Sequence, residues 1–245
     1  MNTREAVIQV IEDVIYTGNL LSPNQWQAVK GNFEMIELSD YFIQMDICET
    51  WTELVNQTGA DLPWSENHFI ERLQGASNPG EEYKNWPYYS PEKHDSVFRQ
   101  GDLFSHTYQE RFWPPSIKGI RYNMGNYNDI KERLKKDPTT RQAFFSIWHP
   151  EDQSNNDVRL PCTIGYWFTI KQNKLNITYL IRSCDMARHF RNDVFMTQRL
   201  AADMRNHVDP NLELGTMSMW IGSAHCFKND LYYLKQKIKK CAELQ

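Results

Sequence analysis

Cys162, Arg182, Asp185 and Asp193 fall within one stretch of the chain, from Leu160 to Asp193. A thiolate attacks and leaves readily, a guanidinium attracts anions and carboxylates move protons, so these residue types together suggest covalent catalysis beside an anion site. Spacing alone does not name the reaction. For the side chains to meet, the chain must fold back on itself, and its pattern provides for that. Residues Thr163 to Ile170 set Ile164, Tyr166, Phe168 and Ile170 on one face, and Leu175 to Ile181 set Leu175, Ile177, Tyr179 and Ile181 on one face, which predicts two strands. Lys171-Gln172-Asn173-Lys174 is a polar turn between them, so Cys162 and Arg182 come together at the mouth of a hairpin.

The flanking elements follow from the same rules. Val7, Val10, Ile11, Val14 and Ile15 recur at helical spacing between Thr3 and Tyr16, with Thr3 as the expected N-cap and Gly18 beyond the end. Phe33 to Ile47 predicts a strand interrupted at Ser39-Asp40. Helices are expected over Trp51 to Gln57, Glu66 to Gln74 and Asn126 to Lys136, the last closed by Asp137-Pro138. Trp86-Pro87-Tyr88-Tyr89 lies in a long aromatic loop. Phe190, Val194, Thr197, Ala201 and Met204 form the apolar stripe of a helix reaching about Asn206. Leu214 to Ile221 reads as a strand, Gly222 to His225 as a turn and Phe227 to Leu244 as a final helix. No repeat and no long linker divides residues 1–245, so the expectation is one α+β domain, a mixed sheet flanked by helices.

Composition narrows the class further. The 245 residues are 40% hydrophobic and 24% charged, enough for one sizeable core. A net charge of -4 with a pI near 6.0, and no long basic run, gives no footprint for nucleic acid. Neither a signal peptide nor a membrane span is expected from the apolar runs. Five scattered cysteines, at 48, 162, 184, 226 and 241, argue against a disulfide framework or a zinc site and suit a reducing cytoplasm.

Pro161-Cys162, Arg182-Ser183-Cys184-Asp185 and Gly222-Ser223-Ala224-His225 together resemble the thymidylate synthase superfamily, and the resemblance extends upstream to Asp137-Pro138-Thr139-Thr140-Arg141 and Trp148. It implies a thymidylate synthase-like fold, a homodimer packed sheet against sheet, a pyrimidine nucleoside monophosphate substrate and 5,10-methylenetetrahydrofolate as co-substrate. Cys162 is then the nucleophile, and Arg141, Arg182, Ser183 and His225 bind the nucleotide. Trp86 and Asp185 face the folate, and Tyr108 positions water or relays a proton near the nucleophile. A catalytic glutamate is expected on the 66–74 helix. Glu71 and Glu66 are both candidates, because the usual offset from Gly75 falls on His68. Several positions depart from the pattern: Gln142 replaces a second arginine, Phe227 replaces a tyrosine, and Ser22 to Trp26 lacks an arginine whose phosphate contact passes to Lys30. Thr163 stands where a histidine is usual after the nucleophile, and Asp193 where an asparagine reads uracil. The last two are similar to phage deoxycytidylate hydroxymethylases.

Those residue types suit the implied chemistry. Thiolate addition at carbon 6 makes carbon 5 of a pyrimidine behave as an enamine, which takes a one-carbon unit from the folate and leaves an exocyclic methylene. Hydride then gives methyl, and water gives hydroxymethyl. Only 18 residues follow Phe227, little chain for a closing segment, so the expectation is water trapping on dCMP. Asp193, with Glu71 or Glu66, is expected to orient or deprotonate that water. Methylation of dCMP or dUMP, use of CMP, and an inactive nucleotide-binding relative remain open alternatives.

Overall fold

The hairpin is the centre of the computed structural model, which describes residues 1–22, 34–74, 81–91, 99–100, 103–104, 106–113, 126–153 and 159–243. Strands β6 (Thr163–Lys171) and β7 (Lys174–Ile181) pair antiparallel, and Gln172 and Asn173 both have positive φ, 52° and 61°. Two left-handed residues are what a tight two-residue turn needs to match the twist of its strands, and an Asn at the second position tolerates it. Leu175, Ile177, Tyr179 and Ile181 are all buried, as their alternation predicts.

Strand β6 departs from strict alternation at its first residues. Thr163 pairs with Ile181 but Gly165 with Leu180, a bulge of one residue. The extra residue turns Thr163 inward, onto the face of Tyr166 and Phe168, and leaves Ile164 only half-buried, contrary to the period-2 expectation. Gly165 is the residue that fits beside the bulge, because a Cβ there would meet the Phe145 carbonyl oxygen at 2.6 Å.

The sheet runs β1-β2-β9-β7-β6-β5, with β1 Asn19–Leu21, β2 Met35–Asp46, β5 Phe144–Ser146 and β9 Glu213–Phe227. A short strand β8 (Cys184–Asp185) continues the line of β7 along β9, both parallel to it. The turn expected at Gly222 to His225 is therefore not a turn. Ser223 pairs with Ser39, Ala224 with Leu38 and His225 with Glu37 of β2, and β8 pairs with Ala224 and His225 on the other side, so the segment continues β9. Gly222 has another use: a Cβ would lie 2.8 Å from the Arg182 carbonyl oxygen, where the chain steps between β7 and β8. Asp40, at φ 52°, kinks β2 rather than ending it. Strands β3 (Arg99–Gln100) and β4 (Leu103–Phe104) form a separate small ladder.

Helices cover one face of the sheet. Helix α1 (Thr3–Thr17) is capped by Asn2 with a capping box to Glu5, not by Thr3, whose hydroxyl instead donates to the Asp46 carbonyl oxygen at 2.8 Å. Helices α2 (Trp51–Thr58), α3 (Trp64–Gln74), α4 (Tyr108–Phe112) and α5 (Tyr127–Lys136) follow, with α3 starting two residues earlier than its apolar pattern suggests. Helix α6 (Phe190–Val208) buries Phe190, Val194, Phe195, Ala201 and Met204 against the sheet, each large side chain contributing about 1.5–3 kcal/mol. Helix α7 (Leu231–Glu243) begins later than expected, because Lys228–Asp230 forms a 3-10 turn. On the opposite face Phe42, Phe144 and Trp167 are exposed. Phe42 pairs across strands with Trp220, and Phe144 with Trp167.

Candidate active site

Cys162 is the last residue before β6 and is a half-buried free thiol. Its carbonyl oxygen accepts from the Arg182 backbone N–H at 2.9 Å, the bond that closes the hairpin mouth. The Arg182 side chain fixes the chain just ahead of it, Nε donating to the Pro161 carbonyl oxygen and Nη2 to that of Leu160, each at 3.0 Å. Trp148 Nε1 also donates to the Pro161 carbonyl at 3.0 Å. Four N–H groups, three of them from Arg182, thus hold the backbone that presents the thiol, a positioning function of Arg182 that residue type alone does not reveal.

The bulge brings Thr163 to the centre of a buried hydroxyl cluster. Thr163 Oγ1 donates to Tyr108 Oη at 3.1 Å and lies 2.9 Å from Tyr179 Oη. Burial pushes the Tyr108 phenol upward, and the charges of Cys162 and Asp193 push it further, so these three groups share one electrostatic neighbourhood. The Tyr166 and Tyr179 phenols are raised as well, mainly by burial. All three therefore act as neutral hydrogen-bonding groups.

Asp193 lies in the first turn of α6, and its Oδ2 is 3.6 Å from Cys184 Sγ, which donates to it. Burial raises its pKa from 3.8 to about 6, with Arg72 acting in the opposite direction. The Cys184 thiol is pushed well up by burial and by Asp193, so it stays protonated and serves as a donor rather than as a nucleophile. Arg72 is a residue that pattern reading passed over. It is 5% exposed, its guanidinium carbon lies 4.1 Å from the Tyr108 ring centroid, and its Nε has no hydrogen-bond partner among the described residues. The signal was its phase: Trp64, His68 and Arg72 repeat every four residues on the buried face of α3.

The two glutamates of α3 have different surroundings. Glu66 makes two bonds with Arg199 of α6, at 2.8 and 3.0 Å, on a partly exposed flank. Glu71 is buried, with Oε2 3.3 Å from His68 Nδ1 and Oε1 accepting from the Glu82 N–H at 3.3 Å. Burial pushes Glu71 up, but its hydrogen bonds outweigh that and the net direction is down. His68 is lowered to about 4, by burial and then by Arg72, so the pair is a neutral imidazole donating to a carboxylate. The His68 ring stacks on Trp64 at 5.1 Å and meets Tyr108 edge-on at 6.3 Å.

Asp185 and His225 face each other across β8 and β9. The Asp185 carboxylate accepts from the N–H groups of Ala187 and Arg188, at 2.9 and 3.3 Å, shaping the turn into α6. Burial raises its pKa, and His225 and Arg188 oppose the rise. His225 is buried with Nδ1 3.4 Å from Ser223 Oγ, which donates to Glu37 at 2.5 Å. Ser183 is half-buried on the step between β7 and β8. Trp86 is 4% exposed and stacks on His189 at 4.6 Å and on Tyr83 at 5.6 Å. Arg141 lies exposed on the turn from α5 into the edge strand β5, apart from this cluster in the chain's layout, and Gln142 beside it accepts from Arg133. Lys30 lies outside the described residues.

A half-buried thiol at a clamped hairpin mouth thus shares one neighbourhood with buried hydroxyls and with a buried carboxyl whose pKa is raised to about 6, residue types that can support covalent and proton-transfer chemistry. The thymidylate synthase family profile matches residues 67–244, more than half of the chain, and the chain belongs to that family. It is 36% identical over 92 residues to the deoxyuridylate hydroxymethyltransferase of Bacillus phage SP01, a match covering 35% of this chain and 24% of that protein. To a putative thymidylate synthase of Methanosarcina mazei it is 28% identical over 139 residues, 56% of this chain and 59% of the relative. The matches thus span about a quarter and about three-fifths of those relatives' lengths. The fold is that of thermostable thymidylate synthase A from Bacillus subtilis, with a TM-score of 0.72 at 17% identity over 98% of this chain and 84% of the other. Among the described residues no helix is long and apolar enough to cross a membrane.

Proposed function

We propose that the chain is a one-carbon transferase that hydroxymethylates carbon 5 of dCMP, with 5,10-methylenetetrahydrofolate as co-substrate. Cys162 adds to carbon 6, carbon 5 takes the folate methylene, carbon 5 then gives up its proton to solvent as tetrahydrofolate leaves, and water adds to the exocyclic methylene before the thiolate is expelled. Arg182 and Ser183 bind the phosphate through the N–H and hydroxyl groups not spent on the backbone, together with Arg141 from a second subunit. His225 binds the sugar, and Trp86 and Asp185 line the folate side. Glu71, rather than the ion-paired Glu66, serves the water step, with Tyr108 holding the water near the thiol. The exposed Phe42, Phe144 and Trp167 support a homodimer joined through the open sheet face, which sedimentation velocity at micromolar concentration checks against a monomer.

Asp193 carries the choice of base. A buried carboxyl with a pKa near 6 holds its proton readily when cytosine binds, accepting from the 4-amino group and donating to nitrogen 3. The second reading is dUMP hydroxymethylation, favoured by the name of the SP01 relative, whose activity is on deoxyuridylate. Incubating the protein with dCMP, dUMP and CMP, each with methylenetetrahydrofolate, separates these readings by product mass. Hydroxymethyl-dCMP without dihydrofolate is the expected result. A methylated nucleotide with stoichiometric dihydrofolate would replace water trapping with hydride transfer, and reaction of dUMP alone would overturn the reading of Asp193.

A further inference from the structure

We infer that His68, oriented by Glu71, is the general base that deprotonates the water attacking the exocyclic methylene. The inference rests on the hydroxymethylation reading above and assigns its water step to a residue not otherwise used. Its first support is location. Trp86, on the side given to the folate, lies 6.2 Å from Trp64, Trp64 stacks on His68 at 5.1 Å, and His68 meets Tyr108 at 6.3 Å. Tyr108 is bonded to Thr163, the neighbour of Cys162. The imidazole therefore stands between the tryptophans on the side given to the folate and the tyrosine bonded to the neighbour of Cys162.

The second support is how the ring is held. Nδ1 faces Glu71 Oε2 at 3.3 Å, and among the described residues Nε2 has no hydrogen-bond partner. A carboxylate on Nδ1 fixes the tautomer that leaves the Nε2 lone pair free, and it stabilises the imidazolium formed when that nitrogen takes a proton. Glu71 is itself held by the Glu82 N–H. Burial and the Arg72 charge keep the imidazole neutral at physiological pH, so the lone pair is available.

The step balances without a redox partner. Water loses a proton to His68 Nε2 as its oxygen bonds to the methylene carbon. The methylene π electrons move into the ring, and the enolate-like ring then reforms its 5,6 double bond by expelling the Cys162 thiolate. The imidazolium returns the proton to the thiolate or to solvent.

The test uses dCMP tritiated at carbon 5, methylenetetrahydrofolate and 2-mercaptoethanol, a thiol that competes with water for the methylene. Tritium release reports one-carbon transfer, and the ratio of thioether to hydroxymethyl product reports water activation. In His68→Gln that ratio should rise about 10²-fold while tritium release falls less than about tenfold, the size of a lost general base acting after transfer. Glu71→Gln should move the ratio the same way by a smaller factor and stands in should His68→Gln fail to fold, which covalent capture of 5-fluoro-dCMP on Cys162 reports. An unchanged ratio in a folded variant, with wild-type protein making hydroxymethyl product, overturns the role of His68 alone. Wild-type protein making methylated product and dihydrofolate overturns both this role and the reading beneath it.

Discussion

Replacing Asp193 with asparagine changes one buried proton and leaves the shape of the site, so its effects can be worked out in two independent assays. Cytosine presents a donor at its 4-amino group and an acceptor at nitrogen 3, and uracil presents the reverse. A buried polar group left without its partner costs about 1–3 kcal/mol, so two mismatches cost about 2–6 kcal/mol, or a preference of about 30-fold to 10⁴-fold. An amide can turn to match either base, so Asp193→Asn should shift the dCMP to dUMP ratio of kcat/KM toward unity by at least about tenfold. The second assay is stability. The carboxyl's pKa is 3.8 in an ordinary setting and about 6 here, so the folded state holds this proton more tightly than the unfolded chain does. Its contribution is fully present below about pH 4 and is lost as pH rises through about 6, a loss of about 3 kcal/mol. Asp193→Asn should remove that slope and be the more stable protein at pH 8 in urea titrations. An unchanged substrate ratio together with an unchanged slope between pH 4 and pH 8 would refute both the buried carboxyl and its use in reading the base.

Three further outcomes are expected. Cys162→Ser should neither turn over nor form an adduct with a 5-fluoropyrimidine nucleotide by intact mass, and an adduct in that variant would move the nucleophile elsewhere. Thr163→Val preserves shape but removes the hydroxyl shared by Tyr108 and Tyr179, so the urea midpoint should fall by the equivalent of about 1–3 kcal/mol, with slower turnover. An unaltered midpoint would mean that the cluster is not coupled. Glu66→Gln, losing a partly exposed ion pair, should cost less than about 1 kcal/mol and spare turnover, whereas Glu71→Gln should slow product formation about tenfold, less than loss of the base that it orients. Equal rates for the two variants would contradict the distinction drawn from their surroundings.

Much of this arrangement was legible where local rules and tertiary context agree. The hairpin, its polar turn and the apolar stripe of α6 followed from periodicity, because each buries one face and nothing competes with that. Failures occurred where a neighbour overrode the local signal. Gly222-Ser223 carries turn residues, yet Ser223 pairs with β2, and Ala224-His225 after it pair with both β2 and β8, which keeps the chain extended. Thr163 should have pointed away from Tyr166 by parity, and the bulge reversed it. Thr3 is a good cap by type, but Asn2 with Glu5 completes the reciprocal pair and frees the Thr3 hydroxyl to meet Asp46. The sequence left Glu66 and Glu71 open because the offset from Gly75 falls on His68 between them; the positions of Arg199, His68 and the Glu82 N–H distinguish their surroundings. The offset from Gly75 pointed at His68 but a glutamate was sought there, and Arg72 was hidden by its type, since an ionisable residue on an apolar face is read as an interruption unless its phase is followed.

The position of β9 in the sheet has a consequence for how the molecule is made. Among the described residues it alone pairs with β2, β7 and β8, so it carries His225 and joins the first part of the chain to the elements around Arg182 and Asp185, and Met35 pairs with Phe227. At about 5–20 residues per second, a ribosome takes about 10 to 40 s between finishing Met35 and finishing Phe227. Throughout that interval β2 has no partner on this side, and its long extended edge, which includes Phe42, is open to pairing with other chains. Contacts of such sequence separation also form slowly once the chain is complete. The protein should therefore refold slowly from denaturant, with yield falling as concentration rises, and the thiol should become reactive toward nucleotide only when this last long strand has docked.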